Sequence, residues 1–157
     1  MKILRVDQEI EVCRIYLATI GSGSQMEIFI TRYLQVMICA SFEKAVKDIF
    51  IEKISKTNKR YLVSFSRECL GIELRNVQTS KIAGTLNKFG DKYGNRFQRK
   101  LKESLEAQQS ETAFNQIVKE RHITAHSSGS AMTFNDLVSA YEKGHIVLDM
   151  LRVALLH

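Results

Sequence analysis

The sequence has no proline and no tryptophan, and only three of its 157 residues are cysteine. Because proline fixes φ and removes an amide donor, a chain without it favours uninterrupted helices. Cys13, Cys39 and Cys69 form no CxxC pair and cannot all be joined in disulfides. We therefore expect a single domain over residues 1–157, located in the reducing cytoplasm and built without a disulfide framework.

Long apolar runs are also missing. No segment approaches the roughly 20 consecutive apolar residues of a membrane span. The amino-terminal stretch "MKILRVDQEIEV" reaches acidic residues too early for a secretory signal. We therefore expect no membrane association.

The formal net charge is +6, and it is unevenly distributed. Residues 1–50 carry six bases and six acids, residues 51–102 carry thirteen bases and four acids, and residues 103–157 carry four bases and seven acids. A basic middle segment favours a polyanion such as nucleic acid, although a solvated lysine-rich helix surface gives the same pattern. The candidate nucleic-acid ligands in this segment are Lys88, Lys92, Arg96, Arg99 and Lys100.

Apolar residues recur at helical spacing through most of the chain, and no segment reads as a strand. Two capping boxes mark helix starts, Ser24 with Glu27 and Thr133 with Asp136. The predicted helices cover residues 4–20, 24–56, 59–69, 80–89, 92–107, 111–125 and 133–156, with Ser110 as the cap of the sixth and "GIELRNVQTS" as a loop. This pattern predicts an all-α bundle of two helical hairpins, with extra short helices inserted in the middle.

The stretch "VKERHITAHSSGS" (118–130) ends the sixth predicted helix in a cluster of titratable side chains. His122 and His126 are spaced to share a metal ion, but a zinc-protease helix needs a glutamate where Ile123 stands, and no third ligand is near. We expect no metal and no other cofactor. Arg121 and His126 form an R-x4-H spacing that an ideal helix would hold about 140° apart. The two side chains converge only if the helix unwinds near His126, where a Gly/Ser loop begins.

These residues and their context resemble the HEPN superfamily, and most of all the stand-alone prokaryotic ribonucleases of the RiboL-PSP and MAE type. The stretch "ASFEKAVKDIF" is similar to the family's acid-bearing second helix and matches Glu43 to that acid. Arg121 and His126 match the family's R-x4-6-H motif, and "AGTLNKFGDKYGNRF" resembles an insert of this branch. One residue departs from the pattern, since many members have asparagine where this chain has His122.

The resemblance implies a HEPN-like bundle that acts as a metal-independent endoribonuclease, as a toxin or in anti-phage defence. It also implies a homodimer whose two motifs line a shared cleft, with RNA as the substrate and a cognate antitoxin as a further protein partner. In this interpretation His126 removes the proton from an RNA 2′-OH, and Arg121 binds the charge that develops on the phosphate. Glu43 orients one of these two side chains, and His122 adds a second titrating ring.

Other interpretations of the same residues stay open. The chain could be a non-catalytic HEPN module that dimerises or binds nucleotide, or a helical protein that binds an acidic partner. Arg121 could serve only as a cation at a helix C-terminus, and Glu43 could be a solvated acid paired with Lys47. Aromatic residues at four-residue spacing favour a core stripe over a base-stacking surface; they are Phe89, Tyr93 and Phe97.

Overall fold

The computed structural model describes the backbone of residues 3–20, 24–124 and 132–157, and the side chains of all of these except residues 20 and 120–124. Over this part the chain forms seven helices and no strand. They are α1 (Leu4–Ile20), α2 (Gln25–Ser55), α3 (Arg60–Glu73), α4 (Thr79–Phe89), α5 (Asp91–Lys102), α6 (Leu105–Thr124) and α7 (Phe134–Leu156). Among these described helices, none combines the length and apolarity needed to cross a bilayer.

The helices form the two predicted hairpins, α1 with α2 and α6 with α7. Helix α2 runs parallel to α7, because Phe42 contacts Tyr141 and, ten residues further on, Glu52 pairs with Arg152. Helix α6 packs more extensively on α7 than on any other helix and runs antiparallel to both α7 and α2. The inserted helices cover two sides of this centre, α3 against α2 and the α4–α5 pair against α6 and α7. The prediction of an all-α bundle with short inserted helices is confirmed.

An aromatic cluster holds the three central helices together. Phe42 of α2 is fully buried and stacks on Phe114 of α6, with ring centroids 4.8 Å apart. Its ring centroid is 5.9 Å from that of Tyr141 on α7. Gly144 lets the α7 backbone come close, since a Cβ at this position would lie 2.6 Å from Phe42 Cζ. These residues therefore mark one common level across α2, α6 and α7.

The two long helices begin where the sequence predicts. Ser24 Oγ accepts a hydrogen bond from the Glu27 N–H at 3.2 Å. Thr133 Oγ1 accepts from the Asp136 N–H at 3.2 Å, and the Asp136 carboxylate accepts from the Thr133 N–H at 3.3 Å. Each cap satisfies amides that the first turn of a helix leaves without partners, so the start of α2 and the start of α7 are fixed locally.

The predicted break between residues 107 and 111 is wrong. Ser104 begins α6, because its Oγ accepts from the Ala107 N–H at 3.1 Å. Ser110 lies inside α6 and donates its hydroxyl proton to the Glu106 carbonyl at 2.8 Å. A serine inside a helix commonly bonds to the preceding turn in this way, and its sequence signature is the same as that of a cap.

The predicted loop "GIELRNVQTS" is wrong at both ends, since α3 continues to Glu73 and α4 begins at Thr79. Glu73 accepts from Lys81 at 2.8 Å and from Lys88 at 2.9 Å, which ties the end of α3 to α4. These two lysines lower the pKa of Glu73 to about 2. The connection between the helices is therefore shorter and more ordered than its composition indicates.

Candidate functional site

Two of the candidate site residues lie at the carboxyl-terminal end of α6. Arg121 and His122 are in the last turn of α6, which the structure describes as far as Thr124. His126 lies outside the described residues. The backbone therefore gives the position of Arg121 within the bundle.

That position follows from the central aromatic cluster. Arg121 comes seven residues after Phe114, which is two helical turns or about 10 Å along α6. Because α2 is antiparallel to α6, the matching position on α2 is seven residues before Phe42, and this residue is Gln35. Gln35 is fully buried, and Thr31, one turn earlier, is also buried. Buried polar side chains of α2 therefore lie at the same level of the bundle as Arg121.

Gln35 and Thr31 are not among the site residues predicted from the sequence. The signal was present, because both interrupt an otherwise apolar helix face formed by Leu34, Ile38 and Phe42. Burying an amide in an apolar core is costly unless it is hydrogen-bonded. A glutamine on a core-facing side of a helix is for this reason a candidate for a specific hydrogen-bonding role.

Glu43 lies next to Phe42 in sequence but about 100° round the helix from it. It is half-buried and lines a groove of about 340 Å³ between α2 and α3, together with Lys47 and Arg67. Along the bundle axis it is about 12 Å from the level of Arg121. Glu43 therefore borders the α2–α3 groove, whereas Gln35 lies on the face of α2 that packs on α6.

Two of the candidate nucleic-acid ligands are engaged within the fold. Lys88 Nζ lies 2.9 Å from a carboxylate oxygen of Glu73. Arg96 donates to the carbonyl of Ala154, near the end of α7, at 3.5 Å. Both contacts connect inserted helices to their neighbours, so these cations contribute to packing within the bundle.

The other three candidates are on the outer side of α5. Lys92 is exposed, and its Nζ lies 5.0 Å from the ring centroid of Tyr93. Lys100 is half-buried and lies 3.9 Å from Glu103, a distance at which an exposed pair contributes little. Arg99 is exposed. A basic outer face on α5 is therefore present, although it holds fewer available cations than the sequence suggested.

The aromatic stripe of this segment belongs to the core. Phe97 is fully buried, and Phe89 and Tyr93 pack against the core from its edge. The Phe89 ring centroid lies 5.2 Å from that of Phe50 on α2. Hydrogen bonding to Lys53 is the main influence that lowers the pKa of Tyr93. The favoured prediction, a core stripe, is confirmed.

Tyr141 joins the two hairpins. Its hydroxyl donates to a carboxylate oxygen of Asp7 on α1 at 2.7 Å. Burial, followed by this hydrogen bond and the charge of Asp7, raises the pKa of Tyr141 far above its ordinary value. The His145 ring packs edge-on against Tyr141, with centroids 4.5 Å apart. The Tyr141–Asp7 hydrogen bond therefore connects α1 to the central aromatic cluster.

Metal ligands do not cluster in the part of the chain described here. No group of three or more His, Cys, Asp or Glu side chains among the described residues is arranged to hold a metal ion. The side chains of His122 and His126 fall outside that statement.

The described residues form an all-α bundle of two hairpins, and Arg121 lies in the last turn of α6. The chain belongs to the RiboL-PSP-HEPN family, whose model matches residues 3–156. No curated protein and no solved structure gives a significant match to it. Membership in this family supports a nuclease-type module in general.

Proposed function

We propose that the protein is a metal-independent endoribonuclease that cleaves RNA through attack of a 2′-OH on the adjacent phosphate. His126 is the general base that removes the 2′-OH proton, since imidazole exchanges protons near neutral pH. Arg121 binds the charge that develops on the phosphate with its planar set of donors. The P–O5′ bond breaks and the leaving 5′-oxygen takes up a proton from solvent, which gives a 2′,3′-cyclic phosphate and a 5′-hydroxyl. DNA is not cut because it lacks the nucleophile.

The observation that carries the proposal is the family match over residues 3–156, taken with the place of Arg121 in the last turn of α6. The capping box at Thr133 fixes the start of α7 on the other side of the connection. The proposal requires His126, five residues after Arg121 in the sequence, to act on the same phosphodiester as Arg121.

Two residues of α2, Gln35 and Glu43, are candidates for orienting Arg121. Gln35 stands at the level of Arg121 on the face of α2 that packs on α6, whereas Glu43 is about 12 Å away along the axis. Helical side chains lean toward the N-terminus of their own helix, so the Glu43 side chain leans toward the level of Arg121. A Glu43–Arg121 contact still needs most of the reach of both side chains. We therefore assign the orienting role first to Gln35 and second to Glu43.

The central test is cleavage of a single-stranded RNA by purified protein in EDTA. We expect cyclic-phosphate ends, no cleavage of the same sequence in DNA, and a loss of rate of about 10²–10⁴-fold in His126→Ala. His157→Ala is the matched control, because this exposed terminal histidine lies outside the motif. Cleavage that needs added metal, or that survives in His126→Ala, would contradict the proposal.

The same assay separates the two orienting candidates. Gln35→Met keeps the side-chain volume, and Glu43→Gln keeps the shape while removing the charge. We expect Gln35→Met to lower kcat with little change in KM, because a group that orients Arg121 acts on the transition state. The assignment is reversed if only Glu43→Gln lowers kcat.

A second candidate function is a non-catalytic module that dimerises or binds nucleotide. The residue that favours it is His122, which departs from the asparagine that the family resemblance implies after the arginine. In that case wild-type protein cuts no RNA, and a nucleotide raises its melting temperature. A role as a toxin or in anti-phage defence, with a cognate antitoxin, is the biological setting we propose for the catalytic form.

We further propose a homodimer formed through an exposed apolar surface of α1 and α2, which we name the amino-terminal seam. Large apolar side chains, 45–65% exposed, form it: Val12, Ile15 and Tyr16 of α1, and Met26, Phe29, Tyr33 and Val36 of α2. They expose together roughly 700 Å², close to the ~800 Å² that a standard interface takes from each partner.

The α2 part of the seam has the spacing of a helix–helix contact. Met26, Phe29, Tyr33, Val36 and the exposed Ala40 alternate by three and four residues, the 3.5-residue repeat of a coiled-coil seam. A two-fold axis at Tyr33 would set two antiparallel copies of α2 against each other, with Phe29 opposite Val36 and Met26 opposite Ala40. This pairs large side chains with small ones, as an isologous interface requires.

The distribution of charge along the chain favours a second copy of this chain as the partner at the amino-terminal seam. Residues 1–50 carry equal numbers of acids and bases, whereas residues 51–102 carry nine more bases than acids. Two copies therefore meet without charge repulsion at the seam and with strong repulsion at the middle segment.

Sedimentation equilibrium tests this interface. Wild type should be dimeric at micromolar concentration, and Phe29→Glu should be monomeric. Phe65→Glu on α3, where the side chain is similarly exposed, is the matched control and should remain dimeric. A wild-type monomer, or a dimer that withstands Phe29→Glu, would reject the seam as the interface.

A further inference from the structure

We propose that the outward face of α3 is a base-stacking site for single-stranded RNA, centred on Tyr61 and Phe65. The inference rests on the proposed function for the identity of the nucleic acid. The aromatic residues of α4 and α5 are not available for this contact, because they pack in or against the core; they are Phe89, Tyr93 and Phe97.

The two rings are presented to solvent by the fold. Tyr61 is 68% exposed and Phe65 is 67% exposed, and they are one helical turn apart on the same side of α3. Helix α3 has a separate packing face, on which Leu70 is buried and Ser66 is half-buried. The aromatic face is therefore opposite to the side by which α3 packs on α2.

Cations surround the rings. The stretch from Lys56 to Arg67 contains four bases and no acid, the other two bases being Lys59 and Arg60. All four side chains are exposed, and within the described part of the chain none forms an ion pair. This differs from α4, where Lys88 is paired with Glu73. Glu68 ends the basic stretch on the same helix.

Single-stranded RNA fits both features at once. Each exposed ring offers a flat apolar surface to an unpaired base, a contact whose removal typically costs 1–3 kcal/mol per base. Each free cation offers a contact to the phosphate that precedes or follows that base. Duplex RNA hides its bases in the stack, so it would use only the cations.

The site lies at a distance from the motif. Helix α3 lies beside the carboxyl-terminal half of α2, since Arg67 lines the groove with Lys47 and Ile51. The level of Arg121 is near Gln35, about 16 residues of α2 before Ile51, or roughly 24 Å. We infer that α3 holds a part of the RNA several nucleotides from the bond that is cut.

Fluorescence anisotropy with an unstructured, labelled oligouridine tests the site, with His126→Ala as the background so that no RNA is cut. Tyr61→Ala and Phe65→Ala should each weaken binding by roughly tenfold. Tyr61→Phe should bind like the parent, because it keeps the ring. Lys59→Ala and Arg60→Ala should each lower the slope of log affinity against log salt by about one.

A matched control separates stacking from a general apolar effect. Ile72, two turns beyond Phe65 and 68% exposed, is apolar without a ring. Ile72→Ala should leave the affinity unchanged. An equal loss in Ile72→Ala would overturn the proposal, and so would a change of oligomeric state in Phe65→Ala, which would make the face a protein contact.

The binding and cleavage assays together distinguish failure of the stacking site from failure of the proposed ribonuclease function. If wild type binds oligouridine through Tyr61 and Phe65 but cuts no RNA, the ribonuclease proposal fails and the stacking site stands. If wild type cuts RNA and both alanine variants keep parental affinity, the stacking site fails and the ribonuclease proposal stands.

Discussion

Substitution of Gly144 by alanine tests the contact that sets the level of the three central helices. The new Cβ would lie 2.6 Å from Phe42 Cζ and 2.8 Å from Phe42 Cε2. The Phe42 ring is fully buried against Phe114, so it has little room to move away. Overpacking of this kind costs about 1–3 kcal/mol, whereas alanine in place of a helical glycine gains about 0.8–1.0 kcal/mol.

The net expectation is a loss of about 0–2 kcal/mol in the free energy of unfolding, or up to roughly 8 °C in Tm. Urea denaturation followed by circular dichroism measures it. Gly84→Ala on α4 is the matched control, because nothing lies within 4 Å of the added Cβ at that helical position. It should be stabilised by about 0.5–1 kcal/mol. A Gly144→Ala protein as stable as Gly84→Ala would refute the packing argument, and with it the common level used to place Arg121.

Two further predictions concern pH. Tyr141→Phe should lose about 1–3 kcal/mol at neutral pH, because it leaves the part-buried Asp7 without its donor. The folded-state pKa of Tyr141 is raised, so its contribution is present below pH ~10 and is lost above it. The stability difference from wild type should therefore shrink as urea titrations move to alkaline pH. Glu73→Gln should be less stable than wild type near neutral pH, because Lys81 and Lys88 lose their shared partner. The pKa of Glu73 is lowered from 4.5 to about 2, so this difference should shrink as the pH falls through that window; a difference as large at the acid end of the window as near neutral pH would contradict the assignment.

The long helices were predictable because local signals and packing agree. In α7, the capping box at Thr133 and Asp136 starts the helix, and the apolar stripe that follows is buried in the core. In α2, Ser24 does the same. The α5–α6 boundary was not predictable, because Ser104 and Ser110 have equal capping potential in the sequence. Tertiary contacts decide between them, since Glu111, one residue past Ser110, accepts from Thr79 on α4 at 2.7 Å.

The candidate site was predictable in part. The spacing of Arg121 and His126 was visible, and so was the helix end that carries Arg121. Gln35 was not predicted, because the sequence does not show which helix packs against a polar residue in an apolar stripe. That Gln35 lies at the level of Arg121 follows from the direction and position of α6 relative to α2, which long-range contacts such as Phe42 with Phe114 establish.

The packing of α2 explains why its sequence has no simple amphipathic pattern. One face carries Phe42 into the core, and from Lys47 onward the opposite face is covered by α3. Before Ala40 that opposite face has no covering helix among the described residues, yet it keeps the apolar spacing of Phe29, Tyr33 and Val36. A surface helix that belongs to a monomer normally places charged residues there. The chain places them only after Ala40, where α3 takes over, and this exposed apolar part of the face is the observation on which the proposed homodimer rests.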